Sequence, residues 1–428
     1  MTARIPALLK DTAFRRYWSG QTISMFGDQI SSIALPLVAV IALHASAAQM
    51  GILTALVWLP NLFFGLHAGA WVDRRGHRRA MMITADVARA LLLASIPASY
   101  AAGMLNLWQL YAVAFGVGSF GVLFTVSNPT LFVTLVPEDK YVDGNSLIYG
   151  SRAFSFMGGP SVGGILVQVL TAPGAVLADA LSYLGSAFFL ARIHPQEPPV
   201  AEGKGSVTAG AKFVAASPIV RSSLASVSVI NFFNFVFAAL LILYATKDLH
   251  VKPGVLGLVL GLGAAGSAIG AAITGRLAKR IGIGRAYTLG CLLFTAPFAL
   301  VPAAAGPHWV ILLMLASSEF IVGLGVMMLD ISIGAIFAAV IPHELRSRVS
   351  GAFQAVNYGI RPVGALAGGL LGTYLGIRTT LWIAAAGGTI GFLLLLPGQL
   401  PKFTMPDLSE STGAADLTDG DAVREVAA

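Results

Sequence analysis

Five carboxylates of this chain, Asp28, Asp86, Asp179, Glu319 and Asp330, each fall inside a long apolar run. A charged side chain at the centre of a membrane-spanning helix costs about 2.5–3.5 kcal/mol on insertion scales, so such residues mark function by default. The chemistry open to a carboxylate there is to take up and release a proton. Asp86 and Arg89 stand three residues apart, hence on one helix face, and read as a local structural ion pair. Asp179 reads equally as a packing residue. Glu319 and Asp330 are eleven residues apart, close to three helical turns, and share a face. Arg361 is a guanidinium in an apolar run and requires a counter-charge, for which Glu319 and Asp330 on the preceding run are nearest. Its other reading is a contact to an anionic substrate group. The seven histidines are scattered without metal-ligand spacing, and no phosphate-binding Gly-Lys-Ser/Thr loop is present. The expectation is a protein that is not an enzyme, has no metal or cofactor, and does not run on ATP.

These residues need elements that cross a bilayer. Charged residues are 11% of 428 and hydrophobic ones 56%; a soluble chain carries about 25% charge, and this one would expose large apolar patches. Twelve apolar stretches run approximately over 18–43, 50–71, 80–101, 108–136, 146–170, 174–191, 222–244, 254–277, 286–304, 309–341, 349–375 and 379–396. Each is too long for a spanning strand, which needs about 9–11 residues, so the expected class is an all-α membrane protein with twelve transmembrane helices. The net charge of +7 belongs beside a cytoplasmic leaflet and implies no nucleic-acid partner. Lysines and arginines gather in the termini and alternate loops, while the loops near residues 45, 104, 172 and 306 carry none. Both termini are therefore expected to be cytoplasmic. The polar stretch 192–221 reads as a cytoplasmic linker between an N-terminal bundle (1–191) and a C-terminal bundle (222–403), and 404–428 as a disordered cytoplasmic tail.

The halves repeat. Gly51 aligns with Gly257 and Gly69 with Gly275 at an offset of 206, Pro137 with Pro342 and Gly164 with Gly369 at 205. On the same register Asp28 faces Asn234, and Thr125 stands opposite Asp330. Parallel six-helix repeats place a substrate cavity between pseudo-symmetric halves.

The loop after the second run reads Gly69, three residues, Asp73-Arg74, Arg75, Gly76, then basic residues to Arg79. It resembles the signature loop of the major facilitator superfamily. In that family the loop is a conformational latch that holds the outward-facing state against the eleventh helix, which implies that role for Gly69, Asp73, Arg74, Gly76 and Arg79. The second copy has Lys279 in place of the aspartate. In the fifth run, Gly159-Pro160 followed by Gly163-Gly164 resembles the antiporter motif of drug-exporting facilitators. Further phrases, among them Ala178-Asp179-Ala180-Leu181-Ser182 and Pro362-Val363-Gly364-Ala365, look like an actinobacterial efflux branch similar to macrolide-efflux proteins and the enterobactin exporter.

The resemblance implies the major facilitator fold, with runs one, four, seven and ten lining the cavity. Asp28 is then the leading proton-coupling candidate, with Glu319 and Asp330 behind it. Asn234, Arg361, Phe235 and Thr125 are candidates for the substrate cavity. Of the four phenylalanines Phe232, Phe233, Phe235 and Phe237, at least two are expected to face lipid. The implied function is export of a small amphipathic compound, such as a drug, antibiotic or siderophore-like metabolite, by proton antiport across a bacterial inner membrane. The implied partners are that substrate, protons and the bilayer, and the working unit is a monomer. The alternatives are a lysolipid or lipid-intermediate flippase and a non-transporting sensor of the same fold.

Overall fold

The computed structural model describes residues 6–195, 207–342 and 345–404. Six helices form the first bundle: α1 (Thr12–Leu37), α2 (Ala47–Arg75), α3 (Arg78–Ala101), α4 (Leu107–Leu135), α5 (Tyr141–Leu170) and α6 (Ala172–Ala191). A short α7 (Val207–Ala216) follows. The second bundle comprises α8 (Pro218–Lys247), α9 (Pro253–Ile281), α10 (Ile283–Ala303), α11 (His308–Val340), α12 (Arg346–Tyr374) and α13 (Ile377–Leu393). Among the described residues, ten helices are long and apolar enough to cross a membrane. The twelve expected crossings are completed by α12, made less apolar by Arg346, Arg348 and Arg361, and by α13, which has 17 residues.

Local chemistry sets the ends. Asp11 caps α1 by accepting the Phe14 N–H at 2.7 Å, Ser46 and Gln49 form a reciprocal capping box on α2, and Asn106 caps α4 through the Gln109 N–H at 3.0 Å. Pro36 has no N–H to give the helical ladder, and α1 loosens into a π turn over Val38–Ala42 directly after it. Pro297 likewise sits where α10 tightens into a 3₁₀ turn, Ala296–Ala299. The repeated prolines Pro137 and Pro342 both stand two residues beyond a helix end, Leu135 and Val340.

The repeat is visible in the packing. In the first bundle α1 packs on α5 and α6, α3 on α4, and α2 on α4; in the second α8 packs on α12 and α13, α10 on α11, and α9 on α11. Between bundles the pairs are α2 with α12 and α5 with α9, again equivalent positions. A shared core of fully buried side chains, including Leu37, Met50, Leu110, Leu243 and Tyr287, runs through both. The start of α1 and the end of the described chain after α13 lie on one face, hereafter the terminal face. On the opposite face, basic residues that stand outside the general charge pattern are tied to backbone: Lys247 Nζ donates to Ala45 O at 2.9 Å, and Arg378 Nε to Pro302 O at 2.8 Å.

The stretch expected to be only a linker contains a helix. In α7, Phe213 and Val214 pack with Val220, Ile341 and Val349, so the segment straps the terminal face of the second bundle. Its apolar residues outweighed the glycine and serine that suggested a flexible connector. The expected tail, 405–428, lies outside the described residues.

Candidate functional site

Four of the six glycines that aligned the halves, Gly51, Gly164, Gly257 and Gly369, meet in pairs between the bundles. A Cβ on Gly51 would lie 2.7 Å from Ala365 O and from Gly369 Cα; one on Gly164 would lie 2.4 Å from Pro253 O and 2.9 Å from Gly257 Cα. Backbones touch there because no side chain intervenes. Both contacts lie toward the opposite face. Each of the same four helices carries another glycine nearer the terminal face: Gly65, Gly150, Gly275 and Gly351. These are 14 or 18 residues away, close to four or five whole turns, so they point the same way. A Cβ on any of them would meet no described atom within 4 Å. Among the described residues the bundles therefore touch toward the opposite face, and these glycines nearer the terminal face have no described neighbour.

The antiporter-motif residues belong to this seam. Gly159 abuts Gln29 and Gly163 abuts Ile30 on α1, Gly164 meets α9, and the Pro160 carbonyl faces Gly257. The motif thus joins α5 both to its own bundle and to the other one.

Inside the first bundle lies a buried polar cluster. The Tyr183 hydroxyl on α6 donates to Asp28 Oδ1 on α1, and Arg89 on α3 pairs with Asp86. The Arg89 guanidinium also lies 4.0 Å from the Tyr183 ring centre and 4.6 Å from that of Phe124. Ser182 donates to Asp179 Oδ1 at 2.9 Å, and Gly27 sits directly on that pair, where a Cβ would come within 2.3 Å of the carboxylate. Asp86 Oδ2, Asp179 Oδ2 and Arg89 Nε are buried without hydrogen bonds. Ser186 lies near Asp86 and Ser31 near Asp179, but neither hydroxyl is in bonding geometry. Asp86 and Arg89 are thus one part of a network of three carboxylates and one guanidinium. Asp28 points into its own bundle, toward α6, and is half-buried. Tyr183 was missed from sequence; the only signal was its place directly after the phrase that holds Asp179.

A second constellation spans the bundles. Arg361 on α12 stacks over Trp58 of α2 at 4.3 Å, Tyr358 at 4.4 Å and Phe235 of α8 at 5.3 Å. Trp58 meets Phe235 edge-on, with ring centres 5.3 Å apart. The expected ion pair of Arg361 with Glu319 or Asp330 is not formed: among the described residues, no carboxylate comes within 4.0 Å of Arg361. Aromatic faces supply the attraction that a carboxylate was expected to supply. Asp330 is exposed on α11, within electrostatic reach of Arg361 and of the exposed Arg152 on α5. Glu319, half-buried, faces Gly263 of α9 instead, so the two acids sharing a helix face have different neighbours. Asn234 is half-buried and Thr125 exposed in mid-helix.

The four phenylalanines of α8 divide into two buried and two half-buried side chains. Phe235 and Phe237 are buried, the latter stacked on Phe298 at 4.4 Å; Phe232 and Phe233 are half-buried, and Phe233 presses on Gly387. None of the four is exposed, because α8 is packed by α2, α12 and α13.

In the signature loop, Gly76 closes α2 at φ 62°, ψ −151°, and His77 follows at φ 53°. Arg79 Nε donates to Leu190 O at 2.9 Å, with a further bond to Ala191 O, fastening α3 to the end of α6. The surroundings of Gly69 and the side chains of Asp73 and Arg74 lie outside the described residues.

This arrangement, two repeat-related bundles around a polar seam, is that of a membrane transporter. The Major Facilitator Superfamily pattern matches residues 17–316 and again 223–418, and the chain belongs to that family. It is a multi-pass membrane transporter and not an enzyme. It is 26% identical over 396 residues, covering 89% of this chain and 90% of the relative, to the uncharacterized MFS-type transporter YfiS of Bacillus subtilis. It is 24% identical over 410 residues, covering 91% and 95%, to the multidrug efflux pump Tap of Mycobacterium tuberculosis. Among solved structures it is similar to a bacterial homologue of the iron transporter ferroportin in its inward-facing state, with a TM-score of 0.71 at 16% identity, covering 92% of this chain and 99% of that one.

Proposed function

We propose that this transporter exports a small amphipathic compound across a bacterial inner membrane by alternating access, in exchange for protons. The observation that carries the reading is the seam: two symmetric glycine contacts close one face while charged and aromatic groups of both bundles stand in mid-membrane. The relatives named multidrug efflux pump support export and a drug-like substrate class. With basic loops and both termini in the cytoplasm, the face closed by these contacts is the outer one, as in the state in which an exporter loads its substrate. The trio Asp28, Asp86 and Asp179 against a single Arg89 is a surplus of acids that protons neutralise. Asp28 is its least buried acid and our leading coupling residue, ahead of Glu319 and Asp330. A ligand and a proton that each favour a different conformer exchange through that equilibrium without touching one another. Substrate occupies the seam, lined by Arg361, Phe235, Asn234 and Thr125. The latch loop biases the same equilibrium from the terminal face.

The test is efflux from proteoliposomes holding a panel of amphipathic drugs, with and without an imposed proton gradient. Accumulation against the drug gradient that collapses with a protonophore is expected. Flux that ignores the proton gradient refutes coupling, and lipid translocation without drug flux makes the chain a flippase.

A further inference from the structure

Arg361 is built to hold something the protein does not itself supply. A guanidinium carries five N–H donors. Among the described residues, Arg361 makes one hydrogen bond, to Asn357 Oδ1 at 3.3 Å, and its Nε is buried with no partner. Trp58, Tyr358 and Phe235 cage it, but aromatic faces accept few hydrogen bonds and carry no net charge. Arg152, across the seam, is exposed and lies 5.7 Å from the Phe156 ring; no described carboxylate comes within 4.0 Å of it either. Their shared counter-charge, Asp330, acts only at a distance.

Depth places the three together. At about 1.5 Å per residue, Arg152 lies roughly 16 Å into α5 and Arg361 roughly 22 Å into α12, both from the terminal face, with Asp330 roughly 15 Å from that end of α11. Two cations and one acid leave the site with a surplus positive charge. A bound monoanion brings it to neutrality, whereas a bound cation doubles the surplus. Neutrality matters because the site must be occluded from water on both sides during the exchange of conformers, and a desolvated unpaired charge is expensive.

We infer, on the transporter reading above, that the substrate is a flat aromatic or conjugated compound carrying one anionic group, such as a carboxylate or sulfonate. The anion is held by Arg361 with Arg152 facing it, and the ring lies against Trp58 and Phe235. Asp330 competes with the ligand for the arginines. Ala365, one turn from Arg361, belongs to the closed Gly51 contact, so a ligand on Arg361 sits directly beneath the shut face.

The full-length protein in lipid nanodiscs is titrated calorimetrically with 2-naphthoate and 2-naphthylmethylammonium, which share a ring and differ in charge. Naphthoate is expected to bind about tenfold or more tightly than the ammonium. Arg361→Met should weaken it by at least that factor, Arg361→Lys by less, and Asp330→Asn should tighten it. Arg152→Met, at an exposed position, tests the second cation without disturbing the aromatic cage. Equal or preferential binding of the ammonium overturns the inference, as does absence of naphthoate binding at millimolar concentration or indifference to both arginine variants. Binding of naphthoate without any gradient-driven flux retains the anion site and removes the export reading, so the two fail separately.

Discussion

Adding one methyl group at Gly164 should open the opposite face. The Cβ of Gly164→Ala falls 2.4 Å from Pro253 O and 2.9 Å from Gly257 Cα. Carbon–oxygen contacts ordinarily begin near about 3.3 Å, so α5 and α9 must part by roughly 1 Å at a point where only backbone faces backbone. Overpacking of this kind costs about 1–3 kcal/mol. The cost falls on the conformer in which the helices touch and is absent from one in which they separate. It therefore shifts the equilibrium between them by about 5- to 150-fold. A closed conformer held at about 99 to 1 would drop to between roughly 95% and 40%. Gly51→Ala, with its Cβ 2.7 Å from Ala365 O, acts at the symmetric point and should do the same.

Nitroxide pairs at Met104 and Trp309 read this directly by electron–electron distance measurement. Both side chains are largely exposed on the opposite face, one in each bundle, and Cys291 is fully buried and so escapes labelling. Wild type should give the short distance, and both variants a second, longer population. Gly150→Ala, on the same face of α5 with open space around it, is the control and should leave the distribution unaltered. Unchanged distances in both Gly164→Ala and Gly51→Ala would refute the idea that these contacts hold the face shut.

Three further outcomes follow from the site. Asp28→Asn should abolish gradient-driven efflux while retaining substrate binding and downhill exchange, since its carboxylate bonds to Tyr183 and not to the seam; a variant that still concentrates substrate would move coupling to another acid. Arg89→Met strands Asp86 in the cluster and should destabilise the protein by about 3–5 kcal/mol, with partial recovery on adding Asp86→Asn; strictly additive losses in thermal denaturation would show that the two do not interact. Gly76→Val places a β-branched residue at positive φ, a strain of about 1–3 kcal/mol, and should, like Asp73→Asn, impair flux with binding nearly intact; parallel loss of binding would put this loop in the substrate site instead.

The bundles and their pairing were legible because apolar run length and a repeat offset are properties of the chain alone. The direction of a side chain was less so. Asp28 occupies a cavity-lining helix by register, yet Gly27 lets α1 settle onto Asp179 and Ser182, which turns Asp28 toward Tyr183. No one-dimensional pattern carries that close approach. Arg361 was read as needing a counter-charge; charge counting looked for a carboxylate, whereas three rings from two bundles lie against it. Tyr358, one turn before Arg361, shares its face and was the available hint.

The gate is symmetric and the chemistry is not. Equivalent glycines close both seams, whereas the acid cluster with its arginine lies wholly in the first bundle, and the caged Arg361 with Asp330 belongs to the second. Any exchange of proton for substrate has to cross between them, and α5 is the helix that packs on α1 and α6 of its own bundle and on α9 of the other. Its Gly159 rests on Gln29, the residue after Asp28; its Gly164 rests on Gly257 across the seam; and its Arg152 lies within electrostatic reach of Asp330. Tightly packed helices move as units because their contacts are bistable, not continuously deformable. On our proposal that Asp28 takes up the proton, a shift of α1 would be delivered through Gly159 to the contact that closes the face and to Arg152 on the same helix.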